Sequence, residues 1–232
     1  MRRLIHTLFP SRVRDSELRE WKARNYAAPS PPHIKRSVLL RVGIPAGTWV
    51  ETGTYLGETT AFLAGQARQV YSIEPEAALH ARAQALFAGR NNVEIIRGTS
   101  EDVFPELMPR LSGDVSFWLD GHYSAGMTFK GDKDTPIKEE LAAIAQALPR
   151  LGRVAVMVDD VRCFEPTCPD FSHYPPRSYL VEWADRLGLG WHIEHDIFVA
   201  RRDEPTASRV AEPGLRRGGE IQPAGGHRRE TG

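Results

Sequence analysis

Short apolar runs alternate along the chain with longer stretches whose apolar residues recur every three or four positions. The short runs, at 48–51, 69–74, 93–96, 115–119 and 154–158, predict strands. The longer stretches predict helices over 34–42, 58–67, 75–87, 100–108, 135–148 and 179–187. Proline opens two of them, Pro75 and Pro136, a position where its missing N–H costs nothing. Ser100 reads as an N-cap, with Glu101 and Asp102 in the first turn. The stretch 191–201 is extended and aromatic-rich and closes the sheet as one or two short strands. Strand alternating with helix implies a mostly parallel sheet covered on both faces, an α/β doubly wound architecture.

The ends depart from this rhythm. Leu4, Ile5, Leu8, Val13, Leu18 and Trp21 are roughly helically spaced, but Pro10 interrupts them, so two short helices are expected. Residues 27–33, with Ala-Pro-Ser-Pro-Pro, read as a linker. The chain thus divides into an N-terminal helical extension and linker (1–33), a core domain (34–202) and a tail (203–232). Packing on the domain is the expectation for the extension, and it is also the natural place for a homodimer contact. The tail is rich in Arg, Gly, Glu and Pro and has too few large apolar residues to offset ordering entropy, so disorder is expected there.

Charge narrows the classes of partner. The 232 residues carry 30 basic and 30 acidic side chains, so no global field draws the protein to nucleic acid. No apolar run approaches the ~20 residues of a membrane span, and His6, Pro10, Arg12 and Arg14 break any signal-peptide core. A cytoplasmic location follows as the expectation. Cys163 and Cys168 lack a second pair that would make a zinc signature, and both read as free thiols.

Candidate chemistry collects where strands end. The segment Trp49-Val50-Glu51-Thr52-Gly53-Thr54-Tyr55-Leu56-Gly57 is a strand, an acid and a glycine-bearing loop ahead of a helix. Glycine permits positive φ and close approach of a ligand, and the helix start presents free N–H groups. A dinucleotide fingerprint would need Gly-x-Gly-x-x-Gly, whereas here Glu51 stands where its first glycine would be. Glu74 ends the second strand, 21 residues beyond Gly53. That is close to the ~20 expected of an acid that grips ribose hydroxyls. Asp120 ends the fourth strand and Asp159-Asp160 the fifth. Adjacent parallel strands bring these three carboxylates together, where their repulsion calls for a cation or protons. Oxygen ligands suit a hard ion such as Mg²⁺.

With its acid-plus-glycine loop after strand one and Glu74 after strand two, the chain resembles the class I S-adenosylmethionine-dependent methyltransferases. Tyr55 replaces the middle glycine usual in that loop. The three aspartates resemble those of metal-dependent O-methyltransferases acting on small molecules, antibiotic sugars and catechols. The resemblance implies a seven-stranded, Rossmann-like sheet and S-adenosylmethionine as cofactor. It implies that Glu51, Gly53, Tyr55, Gly57 and Glu74 bind the cofactor, with Gly98-Thr99-Ser100 toward the adenine and Asp120 close by. It further implies Mg²⁺ on Asp120, Asp159 and Asp160, and a small-molecule or sugar hydroxyl as acceptor. His122, with an ordinary pKa near neutrality, is the first candidate base and Asp120 the second. Lys130, in a Lys-Gly loop, is a candidate for binding an anionic group. The rival expectations are a nicotinamide- or nucleotide-binding enzyme of the same architecture, or a ligand-binding protein without catalysis.

Overall fold

The computed structural model describes residues 11–121, 135–165, 167, 171 and 173–204. Its elements run α1 (Ser11–Ala23), α2 (Pro32–Val42), β1 (Thr48–Thr52), α3 (Glu58–Ala64), β2 (Gln69–Glu74), α4 (Ala77–Phe87) and β3 (Val93–Arg97). They continue with α5 (Ser100–Leu107), β4 (Gly113–Leu119), α6 (Ile137–Ala147), β5 (Leu151–Val158), α7 (Arg177–Arg186), β6 (Gly190–Glu194) and β7 (Ile197–Arg202). The seven strands form one sheet in the order β3-β2-β1-β4-β5-β7-β6. β1 to β5 are parallel, and β7 runs antiparallel between β5 and β6. The doubly wound sheet expected from the alternation is therefore present.

Both faces of the sheet are buried, which is why its strands read as continuous apolar runs rather than alternating ones. On one face, Phe117 and Val156 pack with Phe104 and Leu107 of α5, Leu141 and Ile144 of α6, and Leu180 and Trp183 of α7. On the other, Trp49, Trp118 and Met157 pack with Val38, Leu39 and Val42 of α2 and Leu63 of α3. The Trp183 indole donates to the Leu141 carbonyl at 3.0 Å, so α7 is tied to α6 by a hydrogen bond as well as by packing.

Several boundaries move for identifiable reasons. β4 and β5 begin before their apolar runs because Gly113 pairs with Leu151, extending the ladder past the core. α4 begins after Pro75, not at it: Glu76 is the N-cap, and its side chain accepts the Leu79 N–H at 2.8 Å. Thr99, not Ser100, precedes the first turn of α5. The final extended stretch is a hairpin of β6 and β7, turned by His195 and Asp196 with φ of 50° and 67°. Two consecutive left-handed residues match the twist of the flanking strands. Of the N-terminal extension, α1 is described, and it docks through Trp21. That ring is buried and lies edge-on to His195 at 5.5 Å, while Val13 and Leu18 stay exposed. Among the described residues no helix is long and apolar enough to cross a membrane.

The strand order places the site. From β1 the chain winds outward through β2 to β3, then returns to the other side of β1 for β4. Such a reversal opens a crevice beyond the carboxyl ends of the two central strands. The loops after β1 and β4 meet there so closely that a Cβ on Gly53 would stand 2.7 Å from the Asp120 carbonyl oxygen.

Candidate active site

The loop after β1 is a folded object in its own right. Gly53 has φ of 90° and Gly57 of 81°, the left-handed region that glycine occupies without strain. The N–H groups of Gly53 and Thr54 both bond the Ile73 carbonyl, at 3.0 and 3.1 Å, which folds the loop back onto β2. Glu74 then pins it: one carboxylate oxygen accepts the Tyr55 N–H at 2.8 Å and the other the Glu76 N–H at 3.0 Å. Each oxygen keeps a further lone pair, so the acid can hold the loop and still accept ligand hydroxyls. The Tyr55 side chain is exposed beside it.

Glu51 plays a different part from Glu74. The β1–β2 register sets Ser72 opposite Glu51 on the α3 side of the sheet, and Thr60 of α3 covers both. One Glu51 oxygen accepts both hydroxyls, Thr60 at 2.5 Å and Ser72 at 2.6 Å. The other has no partner. Burial pushes this carboxyl up to about 7, against the opposing effect of the two hydroxyls. Glu51 lies beneath the loop as its anchor, with one unsatisfied oxygen remaining.

On the opposite side of the sheet lies a group the sequence reading passed over. Glu140, in the first turn of α6, is 2% exposed. It faces Thr52 and Ser100, whose hydroxyls lower its pKa, but burial dominates and holds it up at about 7. None of those contacts is a well-aligned hydrogen bond, and Glu140 Oε1, Thr52 Oγ1 and Ser100 Oγ are all left unpartnered. Ser100 is buried, and its hydroxyl faces Glu140. Gly98, also expected on the adenine side, has φ of 143° and donates its N–H to the Glu74 carbonyl at 3.2 Å.

At β4 and β5 the ladder continues one residue past the strands: Asp120 N–H bonds the Thr52 carbonyl and Asp159 N–H the Leu119 carbonyl. This places Asp120, Asp159 and Asp160 side by side, with ligand oxygens within 4.8 Å of one another. The expected convergence of the three acids is present. Asp120 and Asp159 also line a small pocket with Thr135, Glu140, Phe164 and Tyr174. His122 and Lys130, the other candidates for this side, lie outside the described residues, as does Cys168. Cys163 is a buried free thiol, held up at about 11 chiefly by burial, and so is chemically quiet.

The convergence has an unexpected centre. Lys35 of α2 reaches across to the β5 end and places its ammonium 2.6 Å from Asp159 Oδ1, 2.7 Å from Asp159 Oδ2 and 2.9 Å from Asp160 Oδ1. Asp159 Oδ1 also accepts the Asp160 N–H at 2.7 Å. Arg162 donates to Asp160 at 2.6 Å and pairs with Asp196 in the β6–β7 turn. Asp159 remains well above the usual carboxylate range because burial and the neighbouring Asp120 and Asp160 outweigh Lys35. As it stands, this donor set does not fit the expected Mg²⁺: both oxygens of Asp159 and Oδ1 of Asp160 are already held by an ammonium, a guanidinium and a backbone N–H. The sequence did carry a signal for Lys35. It occupies the first position of the buried stripe Lys35, Val38, Leu39, Val42, where a basic residue implies a buried counter-charge. Glu140 stands in the same way among Ile137, Leu141 and Ile144.

No family model matches the chain, and no curated protein matches it. Solved structures do. An O-methyltransferase from Bacillus cereus in complex with SAH is similar at a TM-score of 0.51 and 17% identity, over 84% of this chain and 92% of that one. A protein assigned as a caffeoyl-CoA O-methyltransferase from Staphylococcus aureus is similar at 0.52 and 14% identity, over 80% of this chain and 90% of that one. A third, assigned as a methyltransferase from Streptococcus mutans in complex with SAH, matches at 0.47 and 16% identity, over 75% and 98%. At these identities the likeness lies in the architecture: the chain has the seven-stranded, Rossmann-like methyltransferase fold.

Proposed function

We propose that the protein is an S-adenosylmethionine-dependent methyltransferase that methylates a hydroxyl of a small molecule or sugar. One observation carries the proposal: the glycine loop pinned by Glu74 and the acids after β4 and β5 open on one crevice, with backbone contact between Gly53 and Asp120. Cofactor and acceptor sites are thereby adjacent. The O-methyltransferases among the solved structures of like fold support oxygen as the acceptor atom.

Glu74 would accept the ribose hydroxyls with its remaining lone pairs, and the exposed Tyr55 would lie against the bound nucleoside. Bound S-adenosylmethionine supplies an electrophilic methyl group on a sulfonium. The chain's own task is alignment, since in-line displacement gains most of its rate from holding the reacting atoms in position. A C–O bond forms as the C–S bond breaks, and the hydroxyl proton must leave. Among the described residues Asp120 is the candidate to receive it, from a position at the mouth of the pocket shared with Asp159. His122 follows one residue after Gly121 and remains the alternative base.

The test is calorimetric titration of S-adenosylhomocysteine into the full chain. Micromolar, one-to-one binding is expected. A folded protein that shows no heat of binding would sink the proposal.

A further inference from the structure

We infer that Lys35 is a built-in cation that takes the place of a divalent metal in the aspartate cluster, so that the site works without one. The inference rests on the methyltransferase reading for its purpose, but its geometry is independent of it. The ammonium makes three contacts of 2.6–2.9 Å to Asp159 and Asp160. The Lys35 side chain is only 15% exposed and the two acids 5% and 7%, so the charges interact with little screening. An amine held this closely between two carboxylates serves as the cation of the cluster. With Arg162 on Asp160, two positive groups stand against the three acids.

A metal ion bonding the same oxygens from the far side, at about 2.1 Å, would sit no more than about 5 Å from this ammonium. Like charges at such a distance in a poorly solvated site repel strongly. Binding the metal thus requires Lys35 to leave, and leaving strands a cation from the interior. A fixed ammonium does part of what a bound metal would do. It holds Asp159 and Asp160 in place beside Asp120. Lys35 is in this sense a positioning residue.

The test is electron paramagnetic resonance of free Mn²⁺ titrated into the full chain, wild type against Lys35→Ala. Mn²⁺ shares the oxygen preference of Mg²⁺. The wild type is expected to bind no Mn²⁺ in the micromolar range, and the variant to bind one equivalent at least about tenfold more tightly, because Arg162 is then the one cation described here that faces the three carboxylates. A lysine whose charge does not block the site would leave Mn²⁺ binding unchanged on removal. Stoichiometric micromolar Mn²⁺ on the wild type would overturn the inference. So would the absence of a new site in the folded variant. If Lys35→Ala does not fold, Lys35→Met keeps the buried stem and serves in its place. Loss of S-adenosylhomocysteine binding would count against the proposed activity and not against the Mn²⁺ result, so the two failures are distinguishable.

Discussion

At the ends of β1 and β2, every side-chain hydrogen bond described above stays within residues 51–79. Thr60 and Ser72 serve Glu51, and Glu74 holds Tyr55 and Glu76. At the ends of β4 and β5, the acids depend on Lys35, 124 residues away from Asp159, and on Arg162 and Asp196. One side of the crevice is a local motif whose parts travel together in the chain. The other is an electrostatic arrangement assembled from α2, the β5 end and the last hairpin. A motif of the first kind can be read from spacing. For the second kind, spacing reveals the acids but not the groups that balance them.

The comparison can be broken most forcibly at Lys35. Lys35→Ala takes the ammonium from buried Asp159 and leaves Asp160 with Arg162, and should cost about 3–5 kcal/mol of stability in urea unfolding. Adding Asp159→Asn should recover more than half of it. Equal losses in the single and double variants would mean that the ion pair is not the reason.

The β1 side should show its character in pH dependence. Glu51 ionises near 4.5 when unfolded and near 7 when folded. Between those values the folded state retains a proton that the unfolded chain releases, so stability is greatest at the acid end and declines as pH rises. The drop across the window is roughly 3 kcal/mol for a shift of this size. Glu51→Gln should flatten that slope in urea titrations from pH 4.5 to 8, and Glu140→Gln should remove a second contribution of the same sign. A wild-type stability that rises over this range would contradict the buried, protonated state of both groups.

A smaller effect is expected from Glu74 on cofactor affinity. Glu74→Ala should weaken S-adenosylhomocysteine binding by about 2–3 kcal/mol, the worth of lost hydrogen bonds to a charged acceptor. Calorimetry measures it directly. Smallest of all should be Arg110→Ala. Its bidentate pair with Glu94 is half exposed and distant from both sites, and such pairs are worth about 1 kcal/mol or less. A large loss there would undermine the use of burial to rank these interactions.

Much of this was legible beforehand, for physical reasons. Strand and helix positions followed from hydrophobic period, because a sheet buried on both faces needs apolar runs. Glu74 was found because a βαβ unit fixes the distance between two strand ends. The same logic brought Asp120, Asp159 and Asp160 to adjacent strands. What escaped were Lys35 and Glu140, the two charged residues inside apolar helix stripes. Period marks such positions as buried but does not say which group faces them. Nor did spacing show that the Ser100 hydroxyl faces a carboxyl on α6, 40 residues further on.

By itself, then, the sequence determined the alternation of elements, the local loop between Glu51 and Glu74, and the collection of acids at strand ends. These depend on neighbours in the chain and on the two periods of backbone geometry. Tertiary structure decided the strand order, the closeness of Gly53 to Asp120, and the ammonium among the aspartates. Charge balance in a buried site is set by whichever side chains converge in space, and α2 contributes its lysine only once it has packed against the sheet beside β5.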